Sequence, residues 1–254
     1  MLMDLTIVGC TGSMAGPESP ASCYLVRAEH RGRTWQVLLD LGSGALGTLQ
    51  RHTDPMTLDA LVLSHLHPDH CLDLTGLRVL RQHGPHPADG DLPVYGPDNT
   101  AERMARAYGV GGPEAMRGMD FRTLADATPF ELGPFTITPY EVWHPVPTFG
   151  FRVAADGVVL VYTGDTDSCP NLAPLMADAD LVLSEASYLE GRDTGRGVHL
   201  TALRAATAAR DAGARRLMLT HLPPWTSTED AVAEASRAWA GEVEVARPGQ
   251  TVRV

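Results

Sequence analysis

The sequence predicts one layered α/β domain over residues 1–254, with two β-sheets inside and helices outside. Three observations point there. The 254 residues are enough for a large core, and 44% of them are hydrophobic. Short runs rich in Val, Leu and Ile recur, each closed by polar residues or Gly. Strand runs dominate the first part of the chain, and strands alternate with helical patterns in the second.

Taken in order, LTIVG (5–9), SCYLVRA (22–28), WQVLLDLG (35–42) and LDALVLS (58–64) read as the opening strands. LDLTGLRVLRQH (72–83) reads as a helix with Leu74, Leu77 and Leu80 on one face. DNTAERMARAYG (98–109) has the Asp start and Gly stop of a second helix. From about 83 to 130, loop signals such as PHPADGDLP and GVGGP dominate. Strand runs return in FTITPYEV (135–142), FGFRVAA (149–155), VVLVYTGD (158–165), ADLVLSEA (179–186) and RRLMLTH (215–221). The second and third of these read as a plain hairpin turning at Asp156-Gly157. TALRAATAARDAG (201–213) starts on a capping Thr201 and stops at Gly213. TSTEDAVAEASRAWAG (226–241) opens with Thr226 and Glu229 in capping-box spacing. The tail EVEVARPGQTVRV reads as a final pair of strands, and no repeat or linker is evident.

The formal net charge is −11, and all 20 basic residues are Arg. An acidic chain is a poor partner for a nucleic-acid backbone, so the balance leans away from nucleic acid. Cys10, Cys23, Cys71 and Cys169 form no CxxC pair, and Cys10 and Cys23 read as buried thiols. The segment MLMDLTIVGC lacks the basic and apolar regions of a signal peptide, and no run reaches the length of a membrane span. The expected location is the cytoplasm.

SHLHPDH (64–70) is the stretch that carries chemistry. His65 and His67 are two apart, just after a strand, and a tight loop there aims both imidazoles at one point. The turn at Pro68 aims Asp69 and His70 at a second point nearby. Nitrogen and carboxylate donors suit Zn²⁺, and also Mn²⁺ or Fe²⁺. Two ions need more than four ligands. His144, Asp165 and His221 each follow a strand run, and together they supply the remainder, although each alone reads as a turn or surface residue.

The ordered set HxHxDH, His144, Asp165 and His221 resembles the metallo-β-lactamase superfamily of hydrolases. The resemblance implies an α/β fold of four layers, an αββα sandwich, with two metals at one sheet edge. It implies that His65, His67 and His144 hold one ion and that Asp69, His70 and His221 hold the second. Asp165 would bridge them, and Asp69 would also orient the nucleophile. Asp40 matches an aspartate that supports the ligands, and reads equally as a turn cap. SPASCYLV, HPVPTFGFRV, VYTGDT, SEASY and HLTA resemble the tRNA 3′-processing endonuclease (ribonuclease Z) group. There Glu185 and His199 match a pair that assists the leaving group, although a strand-end acid and a helix-start histidine are the plainer readings. That group inserts a tRNA-gripping arm where only 20 residues separate His144 from Asp165 here.

LSHLHPDHCLDL, TFGFR and MLTHLPPWTSTED resemble actinobacterial cyclic-nucleotide phosphodiesterases of the same fold. The implied activity is dinuclear hydrolysis of a 3′,5′-cyclic nucleotide such as cyclic AMP to the 5′-nucleotide. Zn²⁺ is the leading ion, and Asp69, Glu185 and His199 are the catalytic residues. The alternatives are a ribonuclease Z-like endonuclease, a lactonase or β-lactamase-like hydrolase, and a metal-binding scaffold without turnover. The expected partner is a small-molecule phosphodiester, with no membrane partner. The resembled group is often dimeric, and the apolar residues near 72–80 could serve a homodimer contact or pack on the sheet.

Overall fold

A computed structural model describes residues 3–85 and 90–254. The first half runs β1 (Met3–Gly9), β2 (Cys23–His30), β3 (Arg33–Leu39), α1 (Ala45–Leu49), β4 (Ala60–Val62), α2 (Pro68–Cys71), α3 (Leu74–His83), β5 (Leu92–Gly96), α4 (Thr100–Tyr108) and β6 (Met119–Thr123). The second runs β7 (Phe130–Leu132), β8 (Phe135–Glu141), β9 (Phe149–Ala155), β10 (Val158–Tyr162), α5 (Leu172–Met176), β11 (Leu181–Glu185), α6 (Ala202–Asp211), β12 (Leu217–Thr220), α7 (Thr228–Ala235), β13 (Val243–Val245) and β14 (Thr251–Arg253). The strands form two sheets, ordered β14-β1-β2-β3-β4-β5-β6 and β13-β12-β11-β10-β9-β8-β7. Each sheet is antiparallel on one side and parallel on the other.

Alternation along the strands builds three apolar layers, because successive side chains point to opposite faces. Leu5, Ile7, Tyr24, Val26, Val37, Leu39, Leu160, Tyr162, Leu181 and Leu183 fill the space between the sheets. Their neighbours Val8, Leu25, Leu38 and Leu61 face outward and meet Leu49 of α1, Leu74 and Leu77 of α3, and Met104 of α4. On the other side, Val161, Val182 and Leu219 meet Leu175 of α5, Ala205 and Ala209 of α6, and Ala231 of α7. This is the expected αββα sandwich. The Leu74–Leu77–Leu80 stripe packs on the sheet.

The Asp156-Gly157 hairpin forms as expected, with φ of 52° and 82° at the two turn residues, the left-handed pair of a type I′ turn. The tail strands depart from the expectation. β13 pairs with β12 and β14 with β1, so they close edges of different sheets rather than pairing with each other. The loop-rich stretch contains β5, β6 and the start of β7, while residues 86–89 within PHPADGDLP lie outside the described residues. β5 is short and carries Pro and Gly, and β6 is an edge strand with one buried residue in five, so neither leaves an alternating signal. Thr201 caps α6 by accepting from the Arg204 amide. The cap of α7 is Ser227, which accepts from Asp230, one residue beyond the expected Thr226.

Candidate metal centre

The strand ends marked by the sequence converge, but from both sheets rather than at one edge. β4, in the first sheet, leads into His65, His67, Asp69 and His70. β8, β10 and β12, in the second, lead into His144, Asp165 and His221. Asp165, Glu185 and His221 stand at the C-terminal ends of the neighbouring parallel strands β10, β11 and β12. His67 precedes the single turn of α2, whose first residue is Pro68, where a missing amide costs nothing. Asp69 and His70 follow within that turn and are turned inward, both buried.

Two groups of donor atoms result. In the first, His65 Nε2 lies 2.9 Å from His67 Nδ1, which lies 3.2 Å from His144 Nε2. In the second, His70 Nε2 and His221 Nε2 are 3.1 Å apart, and Asp69 Oδ2 lies 3.5 and 3.2 Å from them. Asp165 Oδ1 completes it, 3.3 Å from His70 and 3.5 Å from His221. The other oxygen of Asp165 faces the first group, 3.8 Å from His65 Nε2. Ligands about 2.0–2.2 Å from one tetrahedral ion stand roughly 3.3–3.5 Å apart, close to these separations.

Outer partners fix the tautomers of four imidazoles. Ser64 Oγ donates to Asp40 and so accepts from His65 Nδ1 at 3.1 Å. His70 Nδ1 donates to Asp40 Oδ2 at 2.7 Å, and His144 Nδ1 donates to the Val198 carbonyl at 2.7 Å. Ser187 Oγ donates to the His221 carbonyl and accepts from His221 Nδ1 at 2.8 Å. Each ring therefore turns its Nε2 into the cluster, with Nδ1 held from outside as in metal-bound histidines. Asp40 is thus a support for His70, not only a turn residue.

The electrostatics agree. Burial, the largest cause, lowers the pKa of His65, His67 and His144, keeping their nitrogens neutral. Burial opposes charge on His70, yet the carboxylates of Asp165 and Asp40 outweigh it and raise its pKa well above the ordinary value, so positive charge is favoured at its Nε2, which a proton or a metal ion can supply. Burial works against the Asp69 and Asp165 carboxylates, but neighbouring histidines hold both well below the usual range. Asp165 Oδ1 is buried without a hydrogen bond. An orphaned carboxylate oxygen among facing lone pairs is stabilised by a cation, so the cluster is suited to metal ions.

Glu185 and His199 also come together here. Glu185 Oε1 accepts from His199 Nδ1 at 2.9 Å and from the Thr166 amide, and Oε2 accepts from the Ser187 amide. Burial opposes charge on His199, but Glu185 outweighs it and pushes the pKa up to about 9. The His199 ring lies 5.5 Å from both the His144 and His221 rings, between the two groups. The sequence did not mark Ser187, Tyr162, Asp167 or the Val198 carbonyl. Tyr162 donates to Asp40 at 2.7 Å from within an apolar strand run, and a backbone carbonyl has no sequence signal.

Known proteins resemble this chain over most of its length. Residues 36–222 match the Beta-lactamase superfamily domain. The uncharacterised protein Rv1339 of Mycobacterium tuberculosis is 42% identical, over 98% of this chain and 92% of the relative. The probable metallo-hydrolase YhfI of Bacillus subtilis is 32% identical over 97% of this chain and 98% of its own length. Its crystal structure superposes with a TM-score of 0.89, covering 100% of both chains. Ribonuclease Z of Bacillus licheniformis is 27% identical, over 87% of this chain and 88% of the relative. On the family match and the full-length likeness to YhfI, the chain belongs to the beta-lactamase superfamily, as one of its metallo-hydrolases.

Proposed function

We propose that the chain is a dinuclear phosphodiesterase acting on 3′,5′-cyclic nucleotides, cyclic AMP first, to give 5′-nucleotides. The observation that carries the reading is the pair of donor groups joined through the two oxygens of Asp165, with the Glu185–His199 pair between them. His65, His67 and His144 would hold one cation, and Asp69, His70 and His221 the other, with Asp165 shared. Zn²⁺ suits these donors best, with Mn²⁺ and Fe²⁺ as alternatives. Bound there, divalent cations supply charge that neutralises a phosphodiester and acidity that makes water a nucleophile near neutral pH. Asp69 orients that nucleophile. His199, held by Glu185 through Nδ1, delivers the proton of its other ring nitrogen to the departing oxygen.

Ribonuclease Z is the second reading, favoured by the likeness to that relative. Against it stand the two-residue turn of the β9–β10 hairpin, which leaves no arm between His144 and Asp165, and the net charge of −11. The test is a panel on metal-reconstituted protein: cyclic AMP, bis-p-nitrophenyl phosphate, precursor tRNA and a lactone. Turnover of both diesters is expected, and His199→Ala should slow cyclic AMP hydrolysis by about 10²–10⁴-fold. Cleavage of precursor tRNA with silence on cyclic AMP would reverse the order, and turnover of the lactone alone would remove both.

A further inference from the structure

We propose that Asp167 is a positioning residue for His199, holding the loop before α6 against the strand ends of the second sheet. This rests on the phosphodiesterase reading, in which His199 is the acid. Asp167 is fully buried two residues after Asp165, and its carboxylate accepts four hydrogen bonds. Oδ1 takes the Ser168 amide at 2.6 Å and Arg204 Nη1 at 2.8 Å. Oδ2 takes the Gly197 amide at 2.8 Å and Arg196 Nε at 2.5 Å. The Asp167 amide donates to the Trp143 carbonyl at 2.9 Å, next to His144.

One residue therefore ties three segments together: 143–144, 165–168 and 196–199. Gly197 has a φ of 73° and lies against the Trp143 indole, where a Cβ would stand 2.8 Å from the ring. Directly after it, the Val198 carbonyl receives His144 Nδ1, and His199 then meets Glu185. The register of 196–197 thus sets where the His199 imidazole points. The Arg196 side chain is 56% exposed, held by its ion pair to Asp167 and by the Trp143 ring 5.9 Å from its guanidinium.

The proposal separates from a merely structural role through the leaving group. Methyl p-nitrophenyl phosphate and methyl phenyl phosphate share one diester core. Nitrophenolate departs without a proton, whereas phenolate gains more from an acid. Wild type, His199→Ala, Asp167→Asn, Arg196→Ala and the Asp167→Asn/His199→Ala double variant are loaded with Zn²⁺ and compared on both esters. Metal content is measured by elemental analysis.

His199→Ala should lose kcat on the phenyl ester by about 10²-fold and far less on the nitrophenyl ester. Asp167→Asn should show the same asymmetry, about tenfold, with wild-type metal content and with KM moved less than kcat. The double variant should be no slower than His199→Ala, because both act on one proton transfer. Should Asp167→Asn not fold, Arg196→Ala carries the comparison, with an asymmetry of about threefold expected. Equal losses on the two esters, or lost metal, would overturn the proposal. If His199→Ala is asymmetric and Asp167→Asn is not, positioning alone fails. If His199→Ala is itself symmetric, or the loaded wild type turns over neither ester, the acid reading fails and takes the proposal with it.

Discussion

Asp40 accepts hydrogen bonds from the Ser64 amide, the Ser64 hydroxyl, His70 Nδ1 and the Tyr162 hydroxyl, all within 2.8 Å. To do so it adopts a φ of 59°, and His221 likewise sits at 58°. Left-handed backbone costs roughly 1–3 kcal/mol per residue, and both strained residues stand at the cluster. The exchange is understandable for Asp40, since its carboxylate orients His70 and, through Ser64, His65. Asp40→Asn replaces one acceptor oxygen by a donor that must face one of these donors. Metal affinity should fall by about 10–100-fold, as for other outer partners of metal-bound histidines. A chelator-competition titration measures this, and an unchanged affinity would remove Asp40 from the support of the site.

At the scale of elements, the short turn of α2 is the part most dependent on its neighbours. Four residues cannot hold a helix by propensity, so packing must hold it. The His70 carbonyl accepts from the Leu41 amide at 2.8 Å, and the chain after β3 passes so close that a Cβ on Gly42 would stand 1.9 Å from the Asp69 carbonyl. Gly42→Ala must push α2 outward and shift Asp69 and His70 together. A loss of about 1–3 kcal/mol is expected, typical of overpacking. Melting curves with and without added Zn²⁺ are the check. The variant should also gain less from Zn²⁺ than wild type, because the displaced residues belong to one donor group. An equal gain would mean that α2 shifts without disturbing the cluster.

For the whole molecule, the candidate centre joins the two sheets. His65, His67, Asp69 and His70 come from the first, and His144, Asp165 and His221 from the second. Ions that bind only where the sheets meet stabilise the folded state by mass action. At a hundredfold excess over Kd one site contributes about 2.7 kcal/mol, and in a chain of this size that corresponds to about 5–11 °C in Tm. Treatment with a chelator should lower Tm by at least that amount, and Zn²⁺ should restore it. A Tm indifferent to chelator would argue against resident ions. The sequence alone was enough for the layered class, because alternation of Val, Leu and Ile is a local property of each strand. It was also enough to mark the residues that converge, because metal chemistry restricts residue type and His65 to His70 lie in one loop. It could not reveal β5 and β6, whose short or edge positions weaken alternation, nor that β13 and β14 close different sheets. Only the tertiary structure decided which nitrogen of each imidazole faces the cluster, that both sheets contribute, and that Ser187 and the Val198 carbonyl hold two of the rings. Those depend on strand register between residues far apart in the chain, and no local pattern encodes such register.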